Sequence, residues 1–332
     1  MSYFWIGAAA AFSFVLTVIF GLIIIPMLRK AKLGQHIREV GPNWHKTKEG
    51  TPTMGGIIFT IAAIPVFGVL LWLSRSEGVG AALLVLFLSV SCGLIGFLDD
   101  YEKIAKKRNL GLTVIQKLVL QVAVTIVFLF LLRRMGIFSG EFVIPFIGTR
   151  ITPHPIVTYV FSSLFIIFFV NAVNLTDGID GLATGVTIPV VGFYLVASVV
   201  LGSAHAGLSI YASALIGGLF GFLIFNFNPA EVIMGDTGSM FLGGSVAGLA
   251  FAIDMPLILL IIGFIYLLEG ISVILQVCYF KLTKGKRLFK MSPIHHHFEL
   301  SGWSEKKIFS VFAGLTLLIS LVSVYWVVKF IA

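Results

Sequence analysis

The sequence has 332 residues, of which 58% are apolar and 11% are charged, and its formal net charge is +8. Soluble domains carry about 25% charged residues, so this composition excludes a soluble globular protein. It indicates a polytopic protein that crosses the lipid bilayer several times. A transmembrane β-barrel is also excluded, because barrel strands alternate in hydrophobicity whereas the apolar runs of this chain are continuous.

Ten apolar runs approach or exceed the roughly 20 residues that a membrane-spanning helix needs. We therefore predict an all-α polytopic membrane protein with ten transmembrane helices, which form one integral-membrane domain over residues 1–332. The first run is longer than a signal-peptide core and is followed by Arg29 and Lys30, so we expect it to stay in the membrane. The ten runs are residues 4–28, 54–73, 79–98, 112–132, 156–173, 182–201, 208–225, 240–253, 256–279 and 308–330.

The charge of the loops predicts the orientation. Alternate loops lie on the same side of the membrane, and most of the lysines and arginines fall on one side. The positive-inside rule makes that side cytoplasmic, so both termini are expected outside the cytoplasm. On the outer side, residues 140–148 are typical of a short hairpin. The cytoplasmic side, where we expect the active site, holds five aspartates near the ends of apolar runs, namely Asp99, Asp100, Asp177, Asp180 and Asp236.

Two of these aspartates lie in residues 171–181, which read Asn-Ala-Val-Asn-Leu-Thr-Asp-Gly-Ile-Asp-Gly in an otherwise apolar region. The segment puts two carboxylates and two carboxamides at a very short connection between two predicted helices. Asp99 and Asp100 end the third run, and Asp236 opens the eighth. An aspartate at a helix start is often only an N-cap. Three aspartate-bearing helix ends on one face argue against three independent caps.

Cationic and small polar residues accompany the aspartates. Lys117 lies in the first turns of the fourth run, and an intramembrane cation normally has a partner or faces a polar cavity. If the third helix continues, Lys103 and Lys107 follow Asp99 at intervals of four residues along one stripe. Residues 50–56, Gly-Thr-Pro-Thr-Met-Gly-Gly, offer hydroxyls and open backbone N–H groups that suit an anion.

Residues 295–297 are three consecutive histidines between the last two runs. Adjacent side chains diverge in direction and neither cysteine is near, so we favour phosphate contacts over a zinc site. The cysteines, Cys92 and Cys278, lie in apolar runs and are expected to be buried and inert. In the ninth run, Glu269 is either a functional carboxylate or a satisfied acid at a helix break, and the sequence leaves both alternatives open.

Together these residues predict a reaction class. Carboxylates and carboxamides without soft ligands suit a hard cation such as Mg²⁺ or Mn²⁺. Lysines and histidines around that cation suit phosphate, and the combination is typical of phosphoryl transfer. At the edge of the bilayer, one substrate could be a lipid phosphate that enters laterally and the other a cytosolic diphosphate.

These motifs resemble those of the bacterial phospho-N-acetylmuramoyl-pentapeptide-transferases, within the polyprenyl-phosphate N-acetylhexosamine-1-phosphate transferase superfamily. The resemblance extends over residues 48–303. The Asp99-Asp100 pair and residues 171–181 and 226–238 resemble motifs of the whole superfamily. Residues 50–56 and 293–299 resemble motifs of the muramoyl-pentapeptide branch.

The resemblance implies transfer of phospho-MurNAc-pentapeptide from UDP-MurNAc-pentapeptide to undecaprenyl phosphate, which gives lipid I and UMP. It also implies a requirement for Mg²⁺, a homodimer in the bacterial inner membrane and no nucleic-acid partner. Asp236 would be the principal metal ligand, Asp99 and Asp100 would lie beside the lipid phosphate with one of them as the base, and Lys117 would contact phosphate. His295 would bind or orient the donor.

The resemblance also implies a set of residues that bind substrate. One position departs from the pattern: Ile233 stands where relatives often carry an aromatic residue that can stack on uracil. The substrate-binding set is Lys48, Thr53, Lys103, Lys107, Asn171, Asn174, Leu175, Asp177, Gly178, Asp180, Asn226, His296 and His297.

Two other functions compete with this prediction. One is a GlcNAc-1-phosphate transferase of the same superfamily, which would use another UDP-sugar. The other is a transporter of an anionic or metal substrate. Transporters usually bind near the bilayer midplane and often contain internal repeats, whereas this sequence has its acidic residues at one edge and no repeat that we find.

Overall fold

The computed structural model describes residues 3–30, 50–106 and 111–330 of the chain. Most of these residues are helical, and the described ranges contain one sheet, an antiparallel hairpin of β1 (Phe142–Val143) and β2 (Arg150–Ile151), whose second strand lies just beyond the predicted residues 140–148. The helices are α1 (Tyr3–Lys30), α2 (Gly56–Ser74), α3 (Val79–Ala105), α4 (Val114–Arg134), α5 (Pro155–Thr176), α6 (Leu182–Val200), α7 (Ala206–Asn226), α8 (Gly235–Ala252), α9 (Leu259–Ile262), α10 (Phe264–Leu282), α11 (Ile294–Glu299) and α12 (Glu305–Phe330).

Nine helices in the described part of the chain are long and apolar enough to cross a membrane, which confirms an all-α polytopic membrane protein. They are α1 to α6, α7 with the short turn before it, α10 and α12. The predicted eighth run forms α8, which is less apolar because it opens with Gly-Asp-Thr-Gly-Ser. All residues of α8 except Asp236 are buried. Other helices of the protein therefore surround α8.

Two elements differ from their predicted extent. The predicted run 256–279 is not one helix, because Gly263 separates α9 from α10. A Cβ at position 263 would come within 2.6 Å of the Leu259 carbonyl oxygen and 3.1 Å of the Phe169 ring, so the break allows a close approach to α5. Helix α3 runs past the predicted end at residue 98 to Ala105 and carries both adjacent aspartates on its last turns.

Glycines bring α8 into close contact with α3. A Cβ at Gly244 would come within 2.9 Å of the Cα atom of Ser89, and one at Gly96 would overlap the carbonyl oxygen of Asp236. Small residues at helix interfaces let the two backbones approach in this way. The start of α8 is therefore pressed against the segment of α3 that carries Asp99 and Asp100.

Buried hydroxyl groups connect the helices further from the aspartates. The Tyr211 hydroxyl on α7 lies 2.8 Å from Ser89 Oγ on α3 and 2.8 Å from Ser245 Oγ on α8. These bonds fix three helices to one another and satisfy polar groups that lipid could not.

Of the two cysteines, Cys92 is buried as predicted, but the prediction for Cys278 is wrong, because α10 buries one face only and this residue lies on the other.

Candidate active site

The carboxylate of Asp236 connects four helices. Asp236 lies in the first turn of α8, and its Oδ2 accepts hydrogen bonds from Lys103 Nζ on α3 and Lys117 Nζ on α4, both at 3.0 Å. Its Oδ1 accepts from Asn174 Nδ2 on α5 at 2.9 Å. Charge-assisted bonds of this kind are short and strong. The structure thus brings together four residues that the sequence predicted separately.

Asp99 and Asp100 face different partners, as adjacent positions on a helix should, since they point about 100° apart. Asp99 Oδ2 lies 2.6 Å from Lys103 Nζ and 3.9 Å from Lys117 Nζ, and its Oδ1 accepts from the Leu112 backbone N–H at 3.0 Å. Asp99 is therefore turned towards the lysines.

Asp100 is turned towards the start of α8. Its Oδ2 accepts the backbone N–H of Thr237 at 2.9 Å and the Thr237 hydroxyl at 2.8 Å, and its Oδ1 accepts the Asp236 N–H at 3.3 Å. The first N–H groups of a helix have no partner within the helix and carry partial positive charge. Asp100 supplies that partner from α3 and so holds α8 in place.

The three aspartates fit a divalent cation. One carboxylate oxygen from each of Asp99, Asp100 and Asp236 can be chosen so that all lie within 4.8 Å of one another. Hard oxygen ligands without sulfur or imidazole suit Mg²⁺. Lys103 and Lys117 balance part of this negative charge, and a cation at Asp236 Oδ2 would compete with their ammonium groups.

The turn after α5 lies beside this cluster. Asp177 follows the last residue of α5, and burial raises the pKa of its carboxyl well above the usual value. The negative charge of Asp236 raises this pKa further, whereas a hydrogen bond from the Gly235 backbone N–H lowers it. Both effects place Asp177 against the start of α8.

Asp180 and Asn226 make contacts within the chain that shape the segment 227–234. Asp180 Oδ2 accepts from Asn228 Nδ2 and from the Ala230 backbone N–H, both at 3.0 Å. Asn226 accepts from the Thr184 hydroxyl at 2.9 Å and donates to the Val232 carbonyl at 3.0 Å. These polar groups support the segment that leads to α8.

Residues 50–56 pair with the end of the same segment. The Ile233 N–H donates to the Pro52 carbonyl at 2.9 Å, and the Gly55 N–H donates to the Ile233 carbonyl at 2.8 Å. This pairing brings Thr53 beside Gly235, where a Cβ would come within 3.0 Å of the threonine hydroxyl and 2.9 Å of Asp100 Oδ2. Thr53 therefore lies next to the aspartate cluster. The predicted Lys48 and Lys107 lie outside the described residues.

Comparisons with known proteins give the family. Residues 82–254 match the model described as glycosyl transferase family 4, and residues 48–59 match phospho-N-acetylmuramoyl-pentapeptide-transferase signature 1. The chain is 44% identical over 329 residues to the phospho-N-acetylmuramoyl-pentapeptide-transferase of Listeria innocua, with 98% of each chain covered. It is 45% identical over 318 residues to that of Staphylococcus carnosus, with 95% of this chain and 97% of the relative covered.

The chain belongs to the phospho-N-acetylmuramoyl-pentapeptide-transferase family. This confirms the resemblance, and it makes the protein a phosphoglycosyl transferase rather than a transporter.

The three histidines of this family member have different hydrogen-bond partners, although the rings of His295 and His296 lie close together, with centroids 4.1 Å apart. The fully buried His295 bonds through Nδ1 to Glu269 Oε2 at 3.0 Å, and His296 Nδ1 lies 2.5 Å from Glu299 Oε2. His297 Nδ1 accepts the Lys290 backbone N–H at 3.1 Å. Within the ranges that the structure describes, the aspartate cluster is the one group of three or more His, Cys, Asp or Glu side chains that could hold a metal ion. No zinc site is therefore found at the histidines in those ranges.

Polar residues that sequence reasoning missed support the predicted ones. Asn171 Nδ2 donates to Gln121 Oε1 at 3.0 Å, and Gln121 Nε2 donates back to Asn171 Oδ1 at 3.4 Å. Gln121 lies one helical turn after Lys117 on α4, so this pair fixes α4 to α5 beside the aspartates. A glutamine inside an apolar run was the available signal, since intramembrane polar residues are rare. Leu175 lies next to Asn174, partly buried and without a polar side chain to bond.

Proposed function

We propose that this protein transfers phospho-MurNAc-pentapeptide from UDP-MurNAc-pentapeptide to undecaprenyl phosphate, giving lipid I and UMP, and that Mg²⁺ is required. The observation that carries the proposal is the Asp236 carboxylate, which two lysines and one asparagine from three other helices contact within 3.0 Å. Such a site concentrates cationic charge and hard oxygen ligands where a diphosphate can bind. The names of relatives with near-complete coverage supply the transferred group, and the resemblance implies the UDP-linked donor and the undecaprenyl phosphate acceptor.

In this reaction an oxygen of undecaprenyl phosphate attacks the phosphorus that carries the sugar, and the bond from that phosphorus to the UMP oxygen breaks. We assign the base to Asp99, because its Oδ2 is turned towards the two lysines while both oxygens of Asp100 accept hydrogen bonds from the start of α8. Asp99 would take the proton of the acceptor phosphate. Lys103 and Lys117 would offset the charge of the phosphates.

Asp236, with Asp99 and Asp100 beside it, would hold Mg²⁺. A bound Mg²⁺ would polarise the phosphoryl oxygens and neutralise developing charge. Lys103 and Lys117, which contact Asp236 Oδ2, would stand beside this site and bind the substrate phosphates.

The turn after α5 and the segments next to it would bind the nucleotide sugar. Asn174 and Asp177 lie at the aspartate cluster and would meet the diphosphate end of the donor. Asn171 would act through Gln121, and Ile233 would leave uracil without an aromatic partner. The other residues proposed for the donor are Lys48, Thr53, Lys107, Leu175, Gly178, Asp180, Asn226, His295, His296 and His297.

We further propose ten membrane spans in one domain, with α8 as the tenth, both termini outside the cytoplasm, and a homodimer in the inner membrane. Helix α8 has 18 residues, which is about 27 Å at 1.5 Å per residue and close to the roughly 30 Å of a bilayer core. Its lower hydropathy is no obstacle, since the protein rather than lipid covers its side chains. Cysteine labelling from each side of the membrane tests the orientation.

The test of the function is UMP release by the purified protein with Mg²⁺, UDP-MurNAc-pentapeptide and undecaprenyl phosphate. We expect release only with all three present, and none when UDP-GlcNAc replaces the donor. Release with UDP-GlcNAc but not with UDP-MurNAc-pentapeptide would contradict the proposal and favour the GlcNAc-1-phosphate alternative.

A further inference from the structure

Helix α10 carries a carboxylate that the proposed reaction does not use. Glu269 and His295 are both fully buried, and Glu269 Oε2 lies 3.0 Å from His295 Nδ1. The other polar side-chain atoms of the pair, Glu269 Oε1 and His295 Nε2, have no hydrogen-bond partner among the described residues. Burying such groups is costly unless they bond to each other. Each of the two side chains is therefore the polar partner of the other.

The surrounding helices fix Glu269 in this place. At Gly270, α10 passes so close to α5 that a Cβ would come within 2.7 Å of the Phe168 ring and 3.3 Å of Ala172 Cβ. Because of this close approach, Glu269, the residue before Gly270, lies near the end of α5. Helix α11, which carries His295, also packs on α10.

The imidazole of His295 lies against the turn after α5. A Cβ at Gly178 would overlap His295 Nε2, so this position needs a glycine for the ring to fit. The preceding residue, Asp177, lies beside the Gly235 backbone N–H and the charge of Asp236, both of which shift the pKa of its carboxyl. A continuous series of contacts thus runs from Glu269 through His295 and the turn to the aspartate cluster.

We infer that Glu269 is a positioning residue that acts through His295: it accepts the Nδ1–H and fixes the ring, and the ring sets the Asp177-Gly178 turn against the aspartate cluster. A carboxylate partner of this kind fixes both the tautomer and the orientation of a histidine. In this arrangement Nδ1 faces Glu269 and Nε2 faces the turn. The inference rests on the proposed function, because the turn would form one wall of the nucleotide-sugar site.

A double-mutant cycle tests this pair. KM and kcat for UDP-MurNAc-pentapeptide are measured for the wild type, Glu269→Leu, His295→Ala and the double variant. We expect each single variant to raise KM by about 10- to 100-fold, by analogy with the loss that follows when the hydrogen-bond partner of a metal-binding histidine is removed, with a smaller change in kcat. The double variant should be no worse than His295→Ala. Multiplicative losses in the double variant, or an unchanged KM in Glu269→Leu, would overturn the inference.

The conservative variant Glu269→Gln separates positioning from folding. Its amide oxygen can accept the same Nδ1–H, so KM should return most of the way to the wild-type value, even if Glu269→Leu does not fold. The ¹⁵N spectrum of histidine-labelled protein should show a protonated Nδ1 and an unprotonated Nε2 at His295 in the wild type and in Glu269→Gln. A folded Glu269→Gln variant with KM as high as that of His295→Ala, or with the opposite tautomer, would contradict the role of Glu269.

The matched control is Ser272→Ala. Ser272 is buried on the same helix, and its hydroxyl donates to the Glu269 backbone carbonyl at 2.7 Å rather than to the histidine. We expect wild-type KM in this variant, and a raised KM would assign the effect to disturbance of α10 in general. If the wild type itself released no UMP, the proposed function would fail; an active wild type with an additive cycle would refute only the pair.

Discussion

The substitution Asp100→Asn tests whether two adjacent aspartates have different tasks. Asp100 accepts three hydrogen bonds from the start of α8, two from Thr237 on Oδ2 and one from the Asp236 N–H on Oδ1. An asparagine has a single acceptor oxygen. Its NH₂ group would therefore face at least one donor of α8, and that donor would lose its partner.

The magnitude follows from these bonds. A hydrogen bond to a charged group contributes about 1.5–3 kcal/mol, and a negative charge at a helix N-terminus contributes about 0.3–1 kcal/mol. Loss of one bond and of the charge should together lower the free energy of unfolding by about 2–4 kcal/mol. One kcal/mol corresponds to about 2–4 °C for 150–250 residues and to somewhat less for the 332 residues of this chain, so the Tm should fall by several degrees.

The assay is thermal unfolding in detergent with EDTA, so that metal binding does not contribute. The matched control is Asp99→Asn, on the same helix, where Oδ1 accepts one backbone N–H and Oδ2 faces lysines. We expect a smaller change in Tm for Asp99→Asn, since the Asp99 carboxylate accepts one backbone N–H, whereas Asp100 accepts three donors at the start of α8. A wild-type Tm in Asp100→Asn, or an equal fall in both variants, would refute the division between a base and a helix anchor.

Three further predictions follow from the packing around the cluster. Gln121→Leu leaves the Asn171 carboxamide oxygen without its partner on α4, so kcat/KM for UMP release should fall with little change in Tm; unchanged kcat/KM would argue against a role for the pair. Gly96→Ala should lower both Tm and activity, because the added Cβ overlaps the Asp236 carbonyl oxygen, and normal values would contradict this packing. Asp177→Asn should stabilise the protein at neutral pH. The raised pKa of Asp177 means that the folded state disfavours the charged form of its carboxyl. The wild type therefore loses stability as pH rises above the unfolded pKa of about 3.9. The Tm advantage of this variant should therefore disappear near pH 4, and an advantage independent of pH would refute the explanation.

The sequence predicts the membrane fold and the residues of the candidate site, because both predictions depend on local signals. Long apolar runs identify the helices, and the loop charges place Asp99, Asp177 and Asp236 on one side. Their convergence follows from that shared side. The third helix continues past its apolar run, as the spacing of Asp99 and Lys103 allows.

The partners of individual side chains could not be predicted in this way. These partners depend on contacts between helices that are far apart in the sequence. Examples are the bonds from Asp100 to the start of α8, from Gln121 to Asn171 and from Glu269 to His295. Hydrophobic periodicity contains no information on such distances. The break at Gly263 was missed for the same reason, since its cause is the close approach to α5.

The most direct test of the central claim, that the aspartate cluster carries Mg²⁺-dependent phosphoryl transfer, is UMP release by Asp236→Asn over a series of Mg²⁺ concentrations. We predict no turnover at any Mg²⁺ concentration from a variant that still folds, because the carboxylate that four helices share would be lost. The control Asp254→Asn removes a carboxylate outside the cluster, which accepts the Ser139 N–H at 3.0 Å, and should keep wild-type turnover. Near-normal, Mg²⁺-dependent UMP release by Asp236→Asn would contradict the claim.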